Sequence, residues 1–167
     1  YLWGIDLGGT KIECIVLNAQ TNETICRTRV PTEAVQGYTH ILGQIKKLVE
    51  LVIAETAILP TKIGFSTPGT LDPTTQTMKN CNTTCMNGQP MKADIEQSLG
   101  LPIVMANDAN CFALAEATMG AVPDVAPEAK VVFGVIMGTG VGGGVVVNGQ
   151  IIGGRHGIGG EWGHNVA

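Results

Sequence analysis

Apolar positions along the chain follow two rhythms. Short runs bounded by turn residues, "YLWGIDL" (1–7), "IECIVLN" (12–18), "ETICRTRV" (23–30), "TKIGFST" (61–67) and "LPIVMAN" (101–107), read as strands. Longer runs with a period near 3.6 read as helices. "YTHILGQIKKLVELVIAE" (38–55) sets Ile41, Ile45, Leu48, Leu51 and Val52 on one face, ready to pack on a sheet. "PMKADIEQSLG" is a short helix closed by Gly100. "DANCFALAEATMG" is a helix with Asp108, a good capping residue type, at its start. "DPTTQT" reads as a turn between polar strands, and "AVPDVAPEAK" (121–130) is Pro-rich, aperiodic and reads as a linker. The alternation predicts an α/β fold of five strands with flanking helices. Residues 1–120 form its first domain, and residues 131–167 open a second, similar one.

One pattern occurs twice. "WGIDLGGTKIECIVLN" (Trp3 to Asn18) aligns without gaps on "FGVIMGTGVGGGVVVN" (Phe133 to Asn148), with Gly4, Gly8, Val16 and Asn18 falling on Gly134, Gly138, Val146 and Asn148. A strand, a glycine turn and a second strand head each domain, the pattern of an internal duplication. Asp6 in the first copy is Ile136 in the second.

The chemistry follows from the turns. Glycines let a backbone come close to a ligand and let N–H groups gather as an anion nest. Thr10, Lys11 and Thr139 add side-chain donors, so Gly8, Gly9, Gly138, Gly140, Gly142 and Gly143 are candidate phosphate ligands. A glycine-rich hairpin is also simply a tight turn, and the case for phosphate rests on two such turns in matched register. No dinucleotide fingerprint opens a helix, and the Walker spacing is absent. A carboxylate beside a polyphosphate is unfavourable unless a cation lies between them. Mg²⁺ is typically held by one or two carboxylates plus substrate phosphates, so Asp6 is the candidate Mg²⁺ ligand, through water. Asn107 and Asp108 fall at the carboxyl end of a strand, where open α/β sheets bind ligands. Asp108 is either a helix cap or a base that accepts the proton of an attacking hydroxyl. "GIGGEWGHN" adds Glu161 and His164, an acid and an imidazole suited to the hydroxyls of a sugar; His40 and His156 read as surface or structural residues.

Bulk properties narrow the partners. Net charge is −4 with no basic cluster, which argues against nucleic acid. The longest apolar stretch, Val131 to Val147, is laced with glycine and is shorter than the ~20 residues of a membrane helix. No signal peptide is visible. The odd set of cysteines (Cys14, Cys26, Cys81, Cys85, Cys111) reads as reduced thiols in a cytoplasmic protein. Cys81 and Cys85 are half a metal site or, by the stronger reading, buried thiols.

"DLGGTK", "TPGTLD", "NDANCFALAE", "GTGVGGG" and "GEWGH", in this order, closely resemble the ROK group of sugar kinases and sugar-responsive repressors. The resemblance covers the whole chain. It implies an actin-like, ribonuclease-H-like ATPase fold, a mixed five-stranded sheet with flanking helices, whose two domains close over a hexose and ATP, and a homodimer as the complete protein. It places the first phosphate turn on Asp6 to Lys11, the second on Gly138 to Gly144, the catalytic base on Asp108, and sugar contacts on Gly69, Asn82, Asn107, Glu161 and His164. In many members that histidine also ligates a structural Zn²⁺ with three cysteines further on, expected here beyond Ala167, since the family is about twice this length. "KNCNTTCMNGQP" and "GEWGHN" look most like the fructokinase/mannokinase branch, while "PMKADIE" and "ANDANCFALAE" also suit N-acetylhexosamine kinases; a glucokinase of the family is a further alternative. The expected reaction is ATP-dependent phosphorylation of a hexose 6-hydroxyl. Outside enzymes, the alternatives are a repressor whose DNA-binding domain is absent here and a non-catalytic protein of the ATPase fold.

Overall fold

The computed structural model describes residues 1–137 and 141–163. They fall into two compact units, 1–106 and 107–167.

In the first unit the period-2 pattern becomes a sheet with one face buried. Strand β1 (Leu2–Leu7) buries Trp3, Ile5 and Leu7, and β2 (Lys11–Leu17) buries Ile12, Cys14 and Val16. Alternate residues point to one side of a pleated strand, so these side chains form a single apolar face. Strand β3 (Thr24–Pro31) pairs antiparallel with β2, and β4 (Ile63–Thr67) pairs parallel with β1. With β7 (Ile103–Asn107) the sheet has the order β3-β2-β1-β4-β7, the mixed five-stranded arrangement expected from the sequence.

Helix α1 (Tyr38–Thr56) packs on β2 and β3 through Ile41, Ile45, Leu48, Val49 and Val52. Its β-branched residues cost a few tenths of a kcal/mol each in helix propensity. Burial contributes about 1.5–3 kcal/mol per Val, Leu or Ile side chain, so packing rather than propensity makes this segment a helix. Leu51 is not on that face as expected; it is 43% exposed. At 3.6 residues per turn it lies about 90° from the centre of the buried stripe, and Val49 on the opposite flank is buried in its place. Helix α2 (Met91–Leu99) ends as expected at Gly100, which adopts φ 68° and returns its N–H to Glu96. The "DPTTQT" turn joins two short strands, β5 (Thr70–Leu71) and β6 (Met78–Lys79), and Asp72 organises it by accepting the amides of Thr74 and Thr75 and pairing with Lys79 at 2.8 Å.

The second unit begins with helix α3 (Asp108–Thr118), and the segment expected to be a plain linker contains a one-turn helix, α4 (Val122–Val125). A hairpin follows, β8 (Val131–Met137) and β9 (Val141–Val147), with β10 (Gln150–Ile151) on its outer side. The order β10-β9-β8 repeats the β3-β2-β1 meander, and β9 falls on β2 at the 130-residue shift of the sequence repeat. By contacts α3 goes with this hairpin, so the two compact units divide at 106/107. Glycines make that packing possible. A Cβ at Gly134 would stand 2.7 Å from the Ala113 methyl, and one at Gly144 would stand 2.5 Å from the Ala109 carbonyl oxygen.

All five cysteines are free thiols. Burial pushes the Cys14 thiol up to about 12, with the neighbouring Cys26 adding to the effect, and pushes Cys81 up to about 11. Iodoacetamide at pH 8 should therefore leave Cys14 and Cys81 unmodified in the folded protein, since the thiolate is the nucleophile. Peptide mass spectrometry reads this; fast native labelling at Cys81 contradicts its burial. Two glycine substitutions should act with opposite signs in urea unfolding. Gly144→Ala forces a methyl into backbone and costs about 1–3 kcal/mol. Gly43→Ala, in α1 with open space around the new methyl, gains about 0.5–1 kcal/mol.

Candidate active site

Asp6 lies near the end of β1, exposed, with Glu13 as its cross-strand partner. Like charges directly opposite on paired strands repel. The fold compensates only one of them. Arg27 donates from Nε to Glu13 at 2.9 Å and Lys11 stands 3.6 Å away, and the guanidinium foremost holds the Glu13 carboxyl below its usual range. Among the described residues Asp6 has no basic partner. Lys11, expected among the phosphate ligands, is thus already engaged with Glu13, although half its side chain is exposed.

The first glycine turn is held from below. The Gly8 amide donates to the Lys11 carbonyl at 2.9 Å. Thr32, just past β3, donates its hydroxyl to the Gly8 carbonyl at 2.6 Å and its amide to the Thr10 carbonyl at 2.9 Å. Gly9 owes its missing side chain at least partly to packing, since a Cβ there would come within 3.0 Å of the Thr83 hydroxyl. Thr83 belongs to the loop that carries Asn82, so the expected phosphate turn and the expected sugar loop touch within one unit. That loop is pinned by Asn87, which accepts the Cys81 amide at 2.8 Å and donates to the Cys81 carbonyl at 3.1 Å. Gly69 is buried beneath it, where a Cβ would overlap the Cys81 sulfur and stand 2.6 Å from the Lys79 carbonyl. Thr32 and Asn87 escape sequence reasoning because each acts on a neighbour that only the sheet register and the loop fold bring near. The one hint is "VPT" at the end of β3, where Pro31 pairs with Lys11.

In the second unit, Asn107 and not Asp108 caps α3. Asn107 is extended (φ −62°, ψ 149°), and its side-chain oxygen accepts the amides of Ala109 at 2.9 Å and Asn110 at 3.3 Å. It is 8% exposed, so its carbonyl end is given to the helix. Asp108 is exposed and shares the Ala109 amide at 2.8 Å. Glu161 is brought to the same helix start: a Cβ on Gly142 would lie 3.5 Å from the Ala109 methyl and 3.7 Å from the Glu161 carboxylate. Gly142 and Gly143 themselves are not in the turn. They pair with Ile136 and Val135 inside the ladder, and a side chain on Gly143 would strike the Gly160 carbonyl, so their smallness has a packing cause. Gly138, Thr139, Gly140 and His164 lie outside the described residues, and with them the expected second turn and zinc ligand. Among the described residues no cluster of three or more His, Cys, Asp or Glu side chains gathers to hold a metal, and no helix is long and apolar enough to cross a membrane.

The chain is similar to the N-acetyl-D-glucosamine kinase of Vibrio vulnificus, 39% identical over 162 residues that cover 97% of this chain and 51% of that protein. The kinase of the same name from Vibrio cholerae is 38% identical with the same coverage. Among solved structures, the ROK hexokinase of Thermus thermophilus superposes with a TM-score of 0.82 at 30% identity, covering 99% of this chain and 53% of that one. The ROK family glucokinase of Streptomyces griseus, solved with glucose and AMPPNP, superposes with a TM-score of 0.80 at 27% identity, covering 98% and 50%. The chain thus spans about half the length of the curated relatives it matches. The model of the ROK family matches residues 2–167, and the chain belongs to that family, with its actin-like ATPase fold.

Proposed function

We propose that the complete protein is an ATP-dependent sugar kinase that phosphorylates the 6-hydroxyl of an N-acetylhexosamine, N-acetylglucosamine first. The observation that carries the substrate is the likeness to N-acetyl-D-glucosamine kinases over nearly the whole chain. It moves that alternative ahead of the fructokinase/mannokinase branch suggested by "KNCNTTCMNGQP". Residues 131–167 head the second domain of the complete protein, with 121–130 as the connection.

The roles follow from the two units taken separately. Asp6 is an acid that folding leaves uncompensated, one residue before Leu7 and the glycine turn. Its exposed carboxylate suits Mg²⁺, which asks a protein for one or two carboxylates and takes its other ligands from water and phosphate. When bound with the nucleotide, the ion neutralises phosphate charge. In the turn from Gly8 to Lys11 the amides of Gly9 and Thr10, with the Thr10 hydroxyl, orient the phosphates; Gly138, Thr139 and Gly140 do the same in the second copy. Asn82, Gly69, Asn107, Glu161 and His164 orient the sugar. Asp108 accepts the proton of the 6-hydroxyl as it attacks. Its neighbour Asn107 supplies the helix cap, so Asp108 stands exposed at the first turn without being the capping residue. Zinc ligation by His164 remains an expectation from the family, and the role has no support among the described residues.

Two measurements on the full-length protein test this. Asp108→Asn should lower kcat by ~10²–10⁴, the usual worth of general base catalysis, while nucleotide binding persists. Coupled-assay turnover equal to the parent removes Asp108 as the base. Across a sugar panel, kcat/KM for N-acetylglucosamine should exceed that for fructose and mannose at least about tenfold, a difference of ~1.4 kcal/mol in transition-state binding. A preference for fructose or mannose returns the protein to the other branch.

A further inference from the structure

A peptide turn offers an anion both amides and carbonyl oxygens, and only the amides attract it. A phosphate-binding turn therefore needs its carbonyls tied elsewhere. In the first glycine turn three of the four, those of Gly8, Thr10 and Lys11, are. The Lys11 carbonyl is taken by the Gly8 amide, the Thr10 carbonyl by the Thr32 amide, and the Gly8 carbonyl by the Thr32 hydroxyl. Among the described residues the amides of Gly9 and Thr10 have no acceptor. One residue outside the turn thus holds two of its three engaged carbonyls.

Thr32 is itself fixed. It is fully buried, 0% exposed, so its hydroxyl does not exchange partners with bulk water. The carbonyl of Pro31 before it accepts from the side-chain amide of Gln44 at 2.7 Å, and Gln44 lies on α1, 7% exposed. Gln44 also donates to Glu33 at 3.4 Å, just after Thr32. A buried polar chain thus runs from the helix packed under the sheet, through the end of β3, to the turn. Buried polar groups of this kind are costly unless each is satisfied, and here each makes its bond.

We propose that Thr32 is a positioning residue for nucleotide binding: its hydroxyl and amide hold the Gly8 and Thr10 carbonyls so that the turn presents amides to the phosphates. Thr32 touches no substrate; it acts through the turn. The proposal rests on the nucleotide-binding function proposed above.

The test uses the full-length protein with Thr32→Val, which keeps the shape and the backbone amide and removes only the hydroxyl donor. Steady-state kinetics should show the KM for Mg-ATP raised roughly fivefold to tenfold, the loss of about one net hydrogen bond. The KM for the sugar should stay within about twofold, because the Asn82 loop is held separately by Asn87. Thr32→Ser, which restores the hydroxyl, should return the ATP KM to within about twofold of the parent. If Thr32→Val does not fold, Thr32→Ala against Thr32→Ser carries the same comparison, since the pair differs by the oxygen alone. An unchanged ATP KM in the variant lacking the hydroxyl overturns the clamp, as does equal impairment in the serine variant. A parent protein that binds no Mg-nucleotide in calorimetric titration overturns both the clamp and the kinase assignment; a parent that binds, with a variant that binds equally well, overturns the clamp alone.

Discussion

Antiparallel register decides what stands at the first glycine turn. Leu7 pairs with Ile12, Lys11 pairs with Pro31, and these two pairings place Thr32 against the carbonyls of Gly8 and Thr10. The same register sets Asp6 across from Glu13 on the face away from the core. A one-residue slip would turn Ile5 and Leu7 outward and bury the acids, so the hydrophobic pattern of β1 and β2 fixes it firmly. The geometry of the candidate phosphate site is therefore a consequence of core packing on the other side of the same strands.

The second hairpin shows what happens when that constraint changes. Its strands fall on β1 and β2 at the 130-residue shift, yet Met137 pairs with Val141 where Leu7 pairs with Ile12. Four residues separate the paired ends in the first copy (8–11) and three in the second (138–140). The glycines that follow then enter the ladder. Gly143 and Gly144 lie under Gly160 and Ala109, and their role is to let α3 and the 160 region approach. Two stretches that look alike as strings of glycine meet different neighbours: Gly8 and Gly9 stand against the Lys11 carbonyl and the Thr83 hydroxyl, Gly143 and Gly144 against Gly160 and Ala109.

This explains how much was legible in the sequence. Period-2 and period-3.6 patterns located the strands and helices, because burial drives both. The five-stranded sheet followed from the alternation of elements and the family motifs. Leu51 was misplaced because a face of the helix is a matter of tens of degrees, and residues at its flank are decided by what they meet. The cap at α3 was assigned one residue late because Asn and Asp are both good caps and the backbone angle at the first of them settles the choice. Thr32 and Asn87 were invisible because each bonds to main-chain atoms of another segment, and a pattern along one strand carries no record of its neighbours. The substrate branch is hard to read from the string for a related reason. The expected sugar loop at 80–87 is shaped by bonds from Asn87 and contact with Gly9, so its polar residues do not by themselves state which hydroxyls they meet.

Several acids of the described chain are accounted for by local pairing. Glu13 has Arg27 and Lys11; Asp72 has Lys79 and two amides; Glu33 has His40; Asp94 accepts from Tyr38. Each is accounted for by local stability. Asp6 is set against a like charge whose cations serve the other partner, and Asp108 follows a residue that already caps the helix. Hydrophobic burial would fix β1 with a serine at 6, whereas at 108 the carboxylate also accepts the Ala109 amide at 2.8 Å beside the cap that Asn107 supplies. A carboxylate such as Asp6, set against a like charge beside a glycine turn, finds its physical justification in a charge that arrives with a ligand. In the function proposed above, the matching charge at Asp6 is a cation carried with phosphate, and at Asp108 it is the proton of an attacking hydroxyl.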